Sequence, residues 1–119
     1  MRVGIDIIKV DRFERMASDE LKLSTLFTPK EIAYFKQFAN PLTHIAGTFS
    51  AKEAVVKAFK TGFTPQVLPL DVEILHKDNV PFVNLKGGAK AFFEENKFTN
   101  IDISISHTND IAEAICIIE

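Results

Sequence analysis

The sequence predicts an α+β fold in which helices pack on an antiparallel sheet. Three observations carry that prediction: alternating β signals at both ends of the chain, a long apolar helix between them, and hairpin turn residues in the second half. At 119 residues the chain fits one domain, residues 1–119, large enough to bury a hydrophobic core.

Val3 to Ile8 are rich in β-branched side chains and alternate, so they read as a strand. Val3, Ile5 and Ile7 share one face. Gly4, Asp6 and Ile8 take the other, which places a carboxylate on an otherwise apolar strand. The spacing of Val10, Phe13 and Ala17 predicts a short amphipathic helix over those residues, with Arg12 and Arg15 on its opposite surface. Thr28-Pro29-Lys30-Glu31 is a helix start: threonine caps, proline suits the first helical position, and Glu31 completes a capping box. Ile32, Phe35 and Phe38 supply its buried stripe.

A third helix is expected from about Thr43 to about Lys60. It is apolar around most of its circumference (Ile45, Phe49, Ala54, Val55 and Phe59 among others), so it should be largely buried. Asp71 to Leu75 and Phe82 to Leu85 read as strands joined through Lys77-Asp78-Asn79. Gly87-Gly88 then marks a loop, and Ala89 to Asn96 a short helix with Phe92 and Phe93 facing inward. Ile101, Ile103 and Ile105 alternate with Asp102, Ser104 and Ser106, and Ala112 to Ile118 follows after a polar connection. That is a second hairpin, with His107 ending its first strand.

Apolar residues make up 46% and charged residues 25%, the balance of an ordinary globular protein. A formal net charge of −2 argues against non-specific nucleic-acid binding. A single cysteine, Cys116, cannot form an internal disulfide and reads as inert core. No apolar run approaches the roughly 20 residues that span a bilayer. Met1 to Val10 contains Asp6 and reads as folded structure rather than a signal peptide, so the cytoplasm is the expected compartment. There is no phosphate-binding glycine loop, dinucleotide fingerprint or nucleophile elbow.

Chemistry is concentrated in three places. Glu53 and Lys57 are four apart, and Ser50 and Lys60 extend the same helical stripe. The pair is either a solvated surface ion pair or the lining of a cleft. On a helix otherwise apolar, a cleft is the more economical reading: its carboxylate can bind a hard cation and its lysine can neutralise phosphate oxygens. Asp6 either caps the following helix, faces water at a strand end, or is a second magnesium ligand opposite Glu53. Magnesium typically takes only one or two protein carboxylates and completes its shell with water and phosphate oxygens. His107 is either an ordinary hydrogen-bonded residue at a strand-to-turn junction or a contact to phosphate or ribose. His44, His76 and His107 lack zinc-ligand spacing.

Gly4-Ile5-Asp6, the run Phe49-Ser50-Ala51-Lys52-Glu53-Ala54-Val55-Val56-Lys57-Ala58, and Ser104-Ile105-Ser106-His107-Thr108 occur in this order. They resemble the three motifs of the holo-acyl-carrier-protein synthases, the short branch of the 4′-phosphopantetheinyl transferases. The similarity takes in Phe27 to Ile32 and Thr61-Gly62 and runs essentially end to end. The central segment is its most specific part.

The resemblance implies transfer of the 4′-phosphopantetheine arm of coenzyme A to a serine of apo-acyl-carrier protein. Adenosine 3′,5′-bisphosphate is released, and the reaction supports fatty acid biosynthesis. It implies Mg2+ held by Asp6 and Glu53, and Lys57 stabilising charge on the transferred phosphoryl group. His107 is implied as a coenzyme A contact, with Lys60, Thr61 and Gly62 along the same ligand. It further implies a homotrimer with active sites between subunits, and a carrier-protein surface at Arg12, Arg15 and Met16. Glu53 is the candidate base for the serine hydroxyl.

Two positions depart from the family pattern. Thr48 stands where arginine is frequent, and Lys60 where glycine is common, so Lys60 is expected to compensate for the cation missing at Thr48. Two other activities stay open on the residues alone. One is a metal-dependent phosphohydrolase; the other is a silent carrier-binding module, which would have no need of Asp6, Glu53 and Lys57 together.

Overall fold

Helix α3, the 18 residues Leu42–Phe59, is the axis on which the other elements assemble. In the computed structural model, which describes residues 1–119, it is preceded by β1 (Arg2–Lys9), a 3-10 turn (Val10–Phe13), α1 (Glu20–Leu23) and α2 (Pro29–Phe35). After it come a 3-10 turn (Pro69–Asp71), β2 (Val72–Lys77), β3 (Val80–Leu85), α4 (Gly87–Glu95), β4 (Ile101–His107) and β5 (Ile111–Ile118). None of these helices is long and apolar enough to cross a membrane.

The strands form a three-stranded sheet in the order β1-β5-β4 and a separate β2-β3 hairpin, antiparallel throughout. Helix α3 lies on one face of the larger sheet. Small side chains decide which face: Ala112, Ala114 and Cys116 of β5 are buried, and a Cβ at Gly4 would lie 1.9 Å from the Ala54 carbonyl oxygen. Only glycine admits the helix there. The apolar trio of β1 is consequently turned outward, leaving Val3 58%, Ile5 58% and Ile7 63% exposed. Cys116, as expected, is inert core, its thiol pushed up to about 12 by burial and then by the Asp102 charge.

A second apolar cluster lies at the N-terminal half of α3, where Phe13, Phe27, Phe35 and Phe49 meet with ring centroids 5.0 to 6.5 Å apart. The hairpin turn is the two residues Asp78 and Asn79, at φ 52° and 64°, the left-handed pair that matches the twist of the flanking strands.

The sequence expectations need three corrections. The helix predicted over Val10 to Ala17 is a 3-10 turn that stops at Phe13, with turns to Ser18. It ends because Asp19 is committed as the cap of α1, its side chain accepting the Lys22 N–H at 3.2 Å. Helix α1 went unread because four residues are too few to show a period. Gly87 and Gly88 are not a loop but the first turn of α4; a Cβ at Gly88 would meet the Gln66 carbonyl oxygen at 1.5 Å.

Candidate active site

Two residues beyond Gly4, the β1 strand turns the Asp6 side chain onto α3. Ser50 Oγ donates to Asp6 Oδ2 at 3.0 Å, and Lys57 Nζ donates to Asp6 Oδ1 at 3.0 Å. Lys57 Nζ also donates to the Ile5 carbonyl at 3.1 Å. Ser50 and Lys57 flank Glu53, three residues before it and four after, so Asp6 faces the same helical stripe as Glu53. The capping and water-facing readings of Asp6 are set aside by these bonds: its side chain is only 12% exposed.

Glu53 is half-buried, and its carboxyl is held above its ordinary value. Burial is the larger cause and the Asp6 carboxylate the next; Lys57 and Arg12 pull in the opposite direction. A carboxyl pushed up by a neighbouring carboxylate, beside a lysine, suits a divalent cation, whose charge would relieve the repulsion. Each Asp6 oxygen has one side-chain donor, which leaves lone pairs for a metal. No third histidine, cysteine or acid joins them. That donor set is too poor for zinc or calcium and fits magnesium, which keeps several water or phosphate oxygens.

Lys60, Thr61 and Gly62 end the same stripe. Lys60 is the left-handed C-cap of α3, at φ 67°, and Gly62 follows at φ 65°. A residue in that conformation is normally glycine, so the helix end suits glycine better than the lysine it carries.

His107 is elsewhere. It ends β4 and lines a cavity of about 200 Å³ against Tyr34, His44, Thr48 and His76. His44 and Thr48 project from the opposite side of α3 to Glu53, roughly half a turn around the helix. From His44 to Lys60 the helix advances roughly 24 Å. Within one chain, therefore, His107 does not join Lys57, Lys60, Thr61 and Gly62 around a single ligand. For the same reason Lys60 cannot stand in for the missing cation at Thr48 inside one chain.

Arg12, on the first 3-10 turn, lies with its guanidinium carbon 5.5 Å from the Phe49 ring centroid, and its charge reaches Glu53. Arg15 is exposed, whereas Met16 is half-buried and packs on the second apolar cluster. These residues occupy turns, so the surface is irregular rather than one face of a helix.

Sequence reasoning missed Lys52. It is fully buried, and its ammonium donates to Glu31 Oε1 at 2.8 Å and to the carbonyls of Pro69 and Val72 at 2.8 and 2.9 Å. The available signal was a lysine inside an otherwise apolar stretch of helix, beside a capping-box glutamate with a free oxygen. It also missed that all three histidines of the chain line one cavity.

Residues 2–116 match the family model described as the 4′-phosphopantetheinyl transferase superfamily. The chain is 42% identical over 119 residues to a holo-[acyl-carrier-protein] synthase of Clostridium tetani, covering 98% of this chain and 94% of that one. Its fold superposes on the crystal structure of the Neisseria meningitidis synthase with a TM-score of 0.89 at 26% identity, covering 99% and 97% of the two chains. The Helicobacter pylori synthase, solved in complex with coenzyme A, superposes at 0.83 with 29% identity, covering 98% and 99%. The motif order, the helix-on-sheet fold and the full-length similarity agree, and the chain belongs to the 4′-phosphopantetheinyl transferase superfamily.

Proposed function

We propose that this protein transfers the 4′-phosphopantetheine group of coenzyme A to a serine of apo-acyl-carrier protein, supplying holo-carrier protein for fatty acid biosynthesis. The observation that carries the reading is the Asp6 carboxylate shared between Ser50 and Lys57, on the two turns that flank Glu53. A site with two acids and one lysine converging is made for a pyrophosphate with its cation.

Magnesium at Asp6 and Glu53 would neutralise the pyrophosphate of the donor. The carrier serine oxygen bonds to phosphorus as the bond to adenosine 3′,5′-bisphosphate breaks. Lys57, half-exposed and anchored at its other contacts by Asp6 and the Ile5 carbonyl, is placed to hold the non-bridging oxygens as their charge develops. The serine proton goes to Glu53, directly or through a water on the metal it would hold. Positioning and charge neutralisation do most of the work in such a displacement.

The reading includes a homotrimer with active sites between subunits. Two observations support it. The outer face of the larger sheet presents Val3, Ile5, Ile7, Ile115 and Ile117, an apolar surface that water disfavours. And His107 sits on the far side of α3 from Glu53, so a donor touching both must bridge two chains. Arg12 and Arg15 present positive charge beside the site, suited to an acidic carrier. Both substrates are cytoplasmic in this reading, and the enzyme with them.

Incubation with coenzyme A, magnesium and apo-carrier protein, followed by mass spectrometry of the carrier, tests the proposal. The carrier should gain the mass of one phosphopantetheine. Release of free phosphopantetheine without carrier would instead identify a hydrolase, and carrier binding without a mass gain a silent module.

A further inference from the structure

From Ile45 to Phe59 every residue of α3 is buried except Glu53 and Lys57. Apolar side chains surround the helix, so hydrophobic packing gives it little preference for one rotation about its own axis. Gly4 does not supply that preference. It meets backbone atoms of Ala54 and Ala58, which a helix presents on every side. Yet rotation decides the site. Successive residues point about 100° apart, so a modest turn of the helix carries Glu53 away from Asp6. Glu53 has no hydrogen bond or ion pair of its own to resist that turn. The Lys57 bond to Asp6 is a weak restraint, because Lys57 is half-exposed.

Lys52, one residue from Glu53, is the single charged side chain on the buried surface of α3. Its three ammonium protons meet three acceptors from three elements. They are Glu31 Oε1 of α2 at 2.8 Å, the Pro69 carbonyl of the second 3-10 turn at 2.8 Å, and the Val72 carbonyl of β2 at 2.9 Å. Glu31 cannot follow a moving lysine, since the N–H groups of Thr28 and Ile74 each hold it at 2.8 Å. Neither side chain of the ion pair has exposed surface, so water cannot replace a lost bond. A turn of α3 would strand a buried charge, which is costly. These bonds are directional where apolar contact is not.

We propose that Lys52 is a positioning residue for the reaction: bonded to Glu31 and to two carbonyls, it fixes the rotation of α3 and thereby aims Glu53 at Asp6. The inference rests on the transferase reading above, with a divalent ion at Asp6 and Glu53. It assigns the buried pair a use in the site that is separate from its use in stability.

The Lys52→Met/Glu31→Gln double variant separates the two uses, because it removes both charges and leaves neither unpaired. Mn2+, the paramagnetic stand-in for magnesium, is titrated into the protein with coenzyme A present and carrier absent, and free ion is read by electron paramagnetic resonance. The double variant should bind Mn2+ about tenfold more weakly than wild type. Its kcat should fall about a hundredfold, the effect of a displacement near 1 Å, while the KM for carrier barely changes. Glu31→Gln alone keeps an amide oxygen that can accept from Lys52, and should stay within about threefold of wild type in both measurements. Ile118→Ala, a core truncation on the end of β5 that pairs with Arg2, should lose stability and neither property. Added to Glu53→Gln, the double substitution should cost no further Mn2+ affinity, because the side chain it aims is already changed.

Wild-type Mn2+ affinity and kcat in the double variant would overturn the inference. So would an equal loss in Ile118→Ala, or a loss that adds in full to that of Glu53→Gln. If the double variant does not fold, Glu31→Leu takes its place: it removes the carboxylate acceptor, keeps Lys52 on its two carbonyls, and is judged by the same outcomes. A wild-type protein that neither binds Mn2+ nor transfers phosphopantetheine overturns the transferase reading. One that does both, with variants that match it, overturns only the positioning role of Lys52.

Discussion

The Lys52 ammonium lies 2.8 Å from Glu31 Oε1, and neither side chain has exposed surface. Glu31 also accepts the N–H of Thr28 at 2.8 Å and, on its other oxygen, the N–H of Ile74 at 2.8 Å. One ion pair therefore ties α2, α3, β2 and the Pro69–Asp71 turn together, one residue from Glu53 in sequence. Burial draws the Lys52 ammonium below its ordinary value, and the Glu31 charge and hydrogen bond push back. Lys52→Met would leave the Glu31 carboxylate buried and unpaired, at a cost of about 3–5 kcal/mol. Urea unfolding should show that loss, and Glu31→Gln added to it should recover part. A loss no larger than for a surface lysine would show the pair to be energetically idle.

Glu53 couples stability to chemistry in the opposite sense. Its folded-state carboxyl titrates above the ordinary 4.5, through burial first and Asp6 second, so its charged form is disfavoured by the fold. That part of the stability is complete below 4.5 and is lost as pH rises through the raised value. Glu53→Gln carries no such charge. The variant should melt at a higher temperature than wild type at neutral pH, and the gap should close near about pH 4. Phosphopantetheine transfer should be abolished in the same variant. Undiminished transfer would remove Glu53 from both its ligand and base roles.

Most of this fold was readable because its signals are local. Thr28 and Glu31 announce a capping box that forms as expected, and alternation on β4 and β5 marks the hairpin that carries His107. The Glu53–Lys57 stripe was legible from helical spacing and Asp6 from its apolar strand. What remained hidden depends on contacts between distant segments. Nothing in the spacing of His44, His76 and His107 says that α3, β2 and β4 converge, and a lysine at position 52 looks solvated until Glu31 is placed beside it. The outward turn of Val3, Ile5 and Ile7 is another such case, because it is set by the fit of Gly4 against Ala54.

Arg12 and Arg15 should not behave alike, although both are exposed. Arg12 lies over Phe49 and its charge reaches Glu53, whereas Arg15 has no such link to the site. Arg15→Glu should raise the KM for carrier protein and leave the KM for coenzyme A unchanged. Arg12→Glu should disturb both and lower kcat, since a negative charge there opposes metal and donor phosphates alike. Steady-state kinetics with each substrate varied in turn will separate them. Matching profiles for the two variants would contradict this division.

Lys60 holds a left-handed backbone at φ 67° that costs an L-residue about 1–2 kcal/mol, which glycine avoids at an entropic cost of about 0.5–1 kcal/mol. Lys60→Gly should therefore raise stability slightly, by up to about 1 kcal/mol. Lys60 is exposed, so its charge is free to meet a ligand. On the proposed function, the end of the Glu53–Lys57 stripe meets donor phosphate, so the glycine variant should bind coenzyme A several-fold more weakly, with the effect shrinking at high salt. Gain of stability with unchanged donor affinity would leave the lysine without a function.

The outward face of the larger sheet offers the sharpest test of assembly. Ile5 is 58% exposed and pairs across the strands with Ile115, itself 36% exposed, so an apolar strip runs from β1 to β5. Each such side chain covered by a neighbouring subunit would contribute about 1.5–3 kcal/mol. A charge in its place must be desolvated without a partner, so Ile5→Glu should leave the chain monomeric in light scattering where the wild-type protein reads as the proposed trimer. The position faces away from α3, and the folded chain should keep its circular dichroism and buried core. If Glu53 of one subunit and His107 of the next must meet the same donor, the monomer should lose transfer even though every catalytic side chain is intact. A monomeric variant that transfers at the wild-type rate would place the whole site within one chain and overturn the shared arrangement.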